Sequence, residues 1–207
     1  MTVTQKINAG SMPLTDKWAE EVLVVKNSAL FNAERWQGIK TTDLESYITT
    51  ITKHKEFMPR GVAETNFEYK QIIPYVIFKH KDRYFLMQRK STASESRLAS
   101  SYSLGIGGHL RKEDVTSHSI FEWAQREFNE EVTYKDPYTT TFLGILNDDS
   151  NEVGSVHLGV VIIVEGSTPN IAVRSELKSG QLFTHTECKE LYPLMESWTQ
   201  KVFELLR

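Results

Sequence analysis

Residues 104–132 read LGIGGHLRKEDVTSHSIFEWAQREFNEEV. An apolar run ends in the double glycine Gly107-Gly108, a polar loop follows, and a helix begins near Ile120. Ser119 with Glu122 three residues on is a capping-box pattern, so Ser119 is the expected N-cap. At 100° per residue Phe121, Ala124, Phe128 and Val132 share a narrow arc, the expected core face. Glu127, Glu130 and Glu131 share another arc through i, i+3 and i+4 spacing. Three carboxylates on one ridge repel each other unless a cation sits among them, and hard cations such as Mg²⁺ and Mn²⁺ prefer such oxygen ligands. Arg126 stands four residues before Glu130, placed to orient carboxylates by bidentate pairing. Acidic triplets are more often solvated helix faces and paired glycines more often turns; the combination raises the functional reading above either.

Working outward, strands and helices alternate, which predicts an α/β or α+β domain. Upstream, Glu21–Lys26 is a short strand, 41–55 a helix with Leu44, Tyr47, Ile48 and Ile51 on one face, and 68–90 a hairpin turning at Lys81-Asp82-Arg83. Residues 91–103 are a Ser-rich loop. Downstream, 142–146 and 157–165 are strands, and 193–206 is a closing helix with Leu194, Trp198, Val202 and Leu205 on one face. The 207 residues suffice for one large domain without staples. A net charge of −3 argues against a broad basic nucleic-acid surface. The lone Cys188 excludes an intramolecular disulfide and multi-cysteine metal sites, which fits a reducing compartment. The N-terminus lacks the apolar run of a signal peptide and the longest aliphatic stretch is too short to span a bilayer, so a cytoplasmic location is expected.

The strand, glycines and capped helix resemble the Nudix (MutT-like) hydrolase family. Leu104 to Leu110 looks like the opening of the family's box, and Arg126-Glu127-Phe128-Asn129-Glu130-Glu131-Val132 matches its second half position by position. Phe85-Leu86-Met87-Gln88-Arg89 looks like the strand before the loop into the box. The resemblance covers roughly residues 68–190, and the N-terminal part resembles a branch of predicted phosphoesterases. Three departures stand out. The loop from Gly108 to the helix is four residues longer. The box's outer acid, which in the family pairs with the box arginine, falls on Asp114 counted from Gly108 and on His118 counted from Arg126. Thr133 replaces the glycine that ends the helix, so the helix is expected to run toward Asp136-Pro137.

The resemblance implies an α/β/α sandwich with a mixed sheet, spanning 68–207, with 1–67 as an N-terminal extension packed on it. It implies Mg²⁺- or Mn²⁺-dependent hydrolysis of a nucleoside diphosphate linked to another moiety, with a small-molecule nucleotide substrate. Carried over, Gly108, Glu127, Glu130 and Glu131 hold the metal, and Glu127 with Arg126 carries catalysis. An acid outside the box often joins them; among Glu176, Glu165, Glu152 and Asp148/Asp149, Glu176 is preferred for its place after the 157–165 strand, with a surface role equally open. Arg97, His109 and His157 are candidate substrate contacts, against solvated, loop-anchoring and strand-core readings. Trp36, Phe31 and Tyr102 read as core more readily than as base-stacking groups. Two rivals remain. A prenyl-diphosphate isomerase is disfavoured because Cys188 follows the box. A catalytically silent nucleotide sensor is favoured only by the disturbed outer acid. A homodimer is allowed, not required.

Overall fold

The computed structural model describes residues 15–31, 34–89, 101–115, 119–174 and 178–206. The strands are β1 (Glu21–Lys26), β2 (Gly38–Lys40), β3 (Glu56–Pro59), β4 (Tyr69–His80), β5 (Arg83–Arg89) and β6 (Tyr102–Ser103). They continue with β7 (Gly105–Ile106), β8 (Val132–Thr133), β9 (Tyr138–Asn147), β10 (His157–Gly166), β11 (Ala172–Val173) and β12 (Lys178–Thr184). The helices are α1 (Thr15–Ala19), α2 (Asn27–Leu30), α3 (Leu44–His54), α4 (Arg60–Ala63), α5 (Ile120–Glu131), α6 (Glu152–Ser155), α7 (His185–Leu191) and α8 (Ser197–Phe203).

The main sheet runs β12-β5-β4-β10-β9-β2, with β1, β3, β6 and β7 joined to it. It is mixed, because β4 and β10 are parallel from Gln71↔His157 to Lys79↔Glu165 while β10 and β9 are antiparallel. β4 is its axis. One edge of β4 pairs with β10; the other serves β1 at Tyr69–Gln71, β7 at Val76–Ile77 and β5 at Lys79–His80. Pro74 lies in the interval between the β1 and β7 pairings, the place where a missing N–H costs no ladder bond. Gly107 runs against that interval: a Cβ there would fall 1.9 Å from the Pro74 carbonyl oxygen.

Alternation along the strands divides the core between two faces. Ile72, Val76, Phe78, Leu158, Val160 and Ile162 face α5, whose Ile120, Trp123, Ala124 and Phe128 are buried against them. Tyr75, Ile77 and Val161 face the opposite layer, where Val202 and Phe203 of α8 and Cys188 of α7 close the core. This is an α/β/α sandwich on a mixed sheet. The extension's β1 pairs with β4 and its β2 with β9. None of the helices in the described residues is long and apolar enough to cross a membrane.

Several sequence expectations change here. α5 stops at Glu131 instead of running on, because β-branched Val132 and Thr133 turn extended and pair with Val173 and Ala172. Phe121 is 37% exposed, and Trp123, off the expected arc, is 1% exposed. The buried stripe is therefore rotated toward Glu127. The hairpin turn is Lys81-Asp82, with Lys81 in the left-handed region (φ 55°) and Arg83 already in β5. The closing helix is shorter than expected, and Leu194 and Leu205 are exposed. Trp36 and Phe31 pack against the main core, and Tyr102 against the α8-side core.

Candidate active site

The Ser119 hydroxyl accepts the Glu122 N–H at 3.4 Å, fixing where α5 begins and hence the direction of its carboxylates. Glu127 lies on the inward edge of α5 and is 8% exposed, whereas Glu130 is exposed. Gly108 passes directly over Glu127: a Cβ at 108 would sit 2.4 Å from its Oε2. Only a glycine lets the backbone approach a carboxylate so closely.

Arg126 ties this corner together. Its guanidinium pairs with the Glu127 carboxylate, with Glu130 Oε2 at 2.6 Å and with Asp114 Oδ2 at 2.8 Å, and Nη2 donates to the His109 carbonyl at 3.2 Å. Asp114, at the end of a single 3₁₀ turn (Lys112–Asp114), also pairs with Arg111 at 3.2 Å. Asp114 thus stands as the arginine's outer acid, the position reached by counting forward from Gly108. His118 lies outside the described residues. Burial lifts the Glu127 carboxyl above its ordinary pKa; Arg126 opposes the shift, and Glu130, Asp114 and Glu131 add to it.

These groups line a cleft of about 870 Å³. Gly107, Gly108, Arg126, Glu127, Glu130 and Glu131 form one wall. Ile73, Tyr75, Val153 and Trp198 give another an apolar and aromatic character. Lys17, Arg60 and Arg111 add positive charge, and Glu20 and Glu196 add further acids. The extension's Lys17, Glu20 and Arg60 could not be assigned from sequence, since local pattern carries no sign that residues so distant in the chain share a cleft. Trp198 and Glu196 were hidden for the same reason.

His109 and His157 meet beside the carboxylate ridge, Nε2 to Nε2 at 3.2 Å. The His157 Nδ1–H donates to the Val153 carbonyl at 2.6 Å. Glu64, at the end of α4, brings Oε1 to 3.7 Å from His109 Nε2 and receives Arg60 Nε at 3.3 Å. Burial, the Arg60 charge and His157 push the His109 imidazole down to about 3, and burial also lowers His157. Burial thus disfavours the charged form of both rings.

The other candidates separate from this cluster. Glu165 pairs with Lys79 at the far end of β10. Asp149 is held by Arg35 and Lys70, each at 2.7 Å. Asp148 is fully buried, and neither it nor the exposed Glu152 lines the cleft. Glu176 and Arg97 lie outside the described residues.

No protein-family model matches the chain. Protein YmaB of Bacillus subtilis (strain 168) is 31% identical over 204 residues, 92% of this chain and 98% of that protein. The crystal structure of Tm1382, described as a candidate Nudix hydrolase, superposes with a TM-score of 0.79 at 29% identity, covering 90% of this chain and 98% of that one. A Nudix hydrolase from Nitrosomonas europaea matches with a TM-score of 0.45 at 17% identity, over 65% of this chain and 86% of its own.

Proposed function

The chain belongs to the Nudix hydrolase family, and from that membership we propose that it is a Mg²⁺- or Mn²⁺-dependent hydrolase of the pyrophosphate bond in a nucleoside diphosphate linked to another group. The observation that carries this reading is the buried Glu127, held by Arg126 beneath Gly108 and on the same ridge as Glu130 and Glu131. The donor set fits a hard divalent cation, being all oxygen and rich in carboxylate. The close pass of Gly108 over Glu127 is the cradle that a side chain there would fill. The Gly108 carbonyl, Glu127, Glu130 and Glu131 would hold the metal. Bound there, it would neutralise phosphate oxygens and acidify a water.

The protein's own groups do the rest. Arg126 fixes the Glu127 and Glu130 carboxylates, and Asp114 fixes Arg126. Arg60, Arg111 and Lys17 offer positive charge to the phosphates. His109 and His157, whose burial disfavours the cation, keep their parts as candidate substrate contacts on the cleft wall. Trp198, Tyr75 and Ile73 offer an apolar wall to a base or to the group linked to the diphosphate. Glu176 and Arg97 keep the parts proposed for them as an assisting acid and a phosphate contact. The sensor reading leans on a disturbed outer acid; Asp114 Oδ2, 2.8 Å from Arg126 Nε, favours the hydrolytic reading instead.

The test is phosphate release from a panel of dinucleotides and nucleotide sugars, with and without Mg²⁺. On a substrate so found, Glu127→Gln is expected to lower kcat by about 10²–10⁴, the scale of a positioned acid–base group. A Glu127→Gln protein with near wild-type kcat would remove hydrolysis from this site.

A further inference from the structure

We propose that Glu64, His109 and His157 form a second metal site, for Zn²⁺ or a similar borderline transition ion, that pins the N-terminal extension to the core. The site is separate in composition from the carboxylate ridge: two imidazoles and one carboxylate, against oxygen donors alone. It does not rest on the hydrolytic reading, since such an ion would bind whether or not the cleft turns over a diphosphate.

The argument begins with the tautomer of His157. Its Nδ1 lies 2.6 Å from the Val153 carbonyl, which can only accept, so Nδ1 carries the proton and Nε2 is a bare lone pair. This backbone-held imidazole is the usual arrangement of a metal-ligating histidine. His109 Nε2–H donates to that lone pair at 3.2 Å, and an ion taking the place of that proton would join the same two nitrogens. Two nitrogens bound at 2.0–2.1 Å with a tetrahedral angle stand about 3.3 Å apart. The Glu64 oxygen completes a trio of donor atoms that all lie within 4.8 Å of one another. Two imidazoles and one carboxylate with an open fourth position are a recurring zinc donor set. Arg60 also bonds to Glu64 Oε1 at 3.3 Å. A carboxylate has lone pairs on both oxygens, so Glu64 can serve Arg60 and an ion together.

The buried surroundings give a second, independent indication. Gln71 is the register partner of His157 across the β4–β10 pair, so the two side chains share a face. Gln71 is 1% exposed, and neither atom of its amide has a hydrogen-bond partner. A buried amide without partners is costly, and its strand position adjoins that of the proposed ligand His157. His109 and His157 line the cleft, so a fourth ligand, water or a phosphate oxygen, has access.

The experiment uses the full chain stripped with chelator, then titrated with Co²⁺ under excess Mg²⁺. The expected result is one Co²⁺ per chain with the intense visible bands of four-coordinate geometry, displaced by Zn²⁺. A rise in Tm that Mg²⁺ alone does not produce is expected with it. Glu64→Gln and His157→Gln should each weaken Co²⁺ by at least ~10-fold, the scale on which even outer-shell partners act; Glu131→Gln should leave it unchanged. Pale six-coordinate bands, or binding lost in Glu131→Gln and kept in Glu64→Gln, would overturn the proposal. Should His157→Gln fail to fold, the wild type decides: Zn²⁺ must shift the Nε2 signals of two of the six histidines, and a spectrum without such shifts would reject the site.

Discussion

Asp114 pairs with both Arg111 and Arg126, so one carboxylate anchors the lengthened loop to α5. Two counts through a lengthened loop gave two positions for the outer acid, because counting assumes that the extra residues lie on one side or the other. Asp114 stays with the glycine side on its own 3₁₀ turn and reaches Arg126 from there. Asp114→Asn is therefore expected to lower kcat by about 10- to 100-fold by letting the Arg126–Glu127 pair drift, with Asp114→Glu restoring part of the loss. Equal activity in Asp114→Asn would show that Arg126 needs no outer acid. The two glycines separate by the same kind of argument. A Cβ at 108 meets the far end of a side chain, Glu127, whereas a Cβ at 107 meets backbone at Pro74. Gly108→Ala should fold and lose Mg²⁺ affinity; Gly107→Ala should lose stability itself. Calorimetry of both variants with and without Mg²⁺ distinguishes the two outcomes.

Among the elements, α5 was the most legible, because its start is written in a cap and its buried stripe in a period. Its end was not: the rule that a glycine stops this helix pointed to a longer one, but Val132 and Thr133 stop it by pairing with β11. β12 and α7 carry little local sequence signal, for different reasons. Lys178–Thr184 has a glycine and few apolar residues, and becomes a strand by pairing with β5; His185–Leu191 is too short to show a period. The carboxylate ridge has an energetic consequence for the whole helix. Without a cation, neighbouring like charges at helical spacing each cost a few tenths of a kcal/mol. Glu131→Gln should therefore raise the metal-free stability by about 0.2–0.5 kcal/mol while reducing the stabilisation that Mg²⁺ confers. Chemical denaturation with and without Mg²⁺ measures both; a destabilised metal-free variant would contradict the repulsion argument.

At the scale of the molecule, the sequence did not reveal what the extension does, because its contacts are long-range. Arg35 and Gln37 reach Asp149, and Asp149 in turn holds Lys70, whose side chain is 0% exposed at the base of β4. Lys70 Nζ also donates to the Gly154 carbonyl at 2.7 Å, tying β4 to the turn that leads into β10 and His157. Removing one partner of such a pair leaves a buried charge uncompensated. Asp149→Ala should cost about 3–5 kcal/mol. Lys70→Met should cost less, because Asp149 keeps its two bonds from Arg35. The pH dependence follows from the Asp149 carboxyl. Burial alone would raise its pKa, but hydrogen bonds from Arg35, Lys70 and Asn147 outweigh burial and hold it well below the usual range. A depressed folded pKa means that the unfolded chain takes up the proton first. The stabilisation is therefore complete above the ordinary aspartate value of about 3.9 and drains away as pH falls through the lower folded value. Urea midpoints of wild type and Asp149→Ala should differ most near neutral pH and converge in strong acid. A gap that stays constant down the acid range would mean that Asp149 acts through packing and not through its charge.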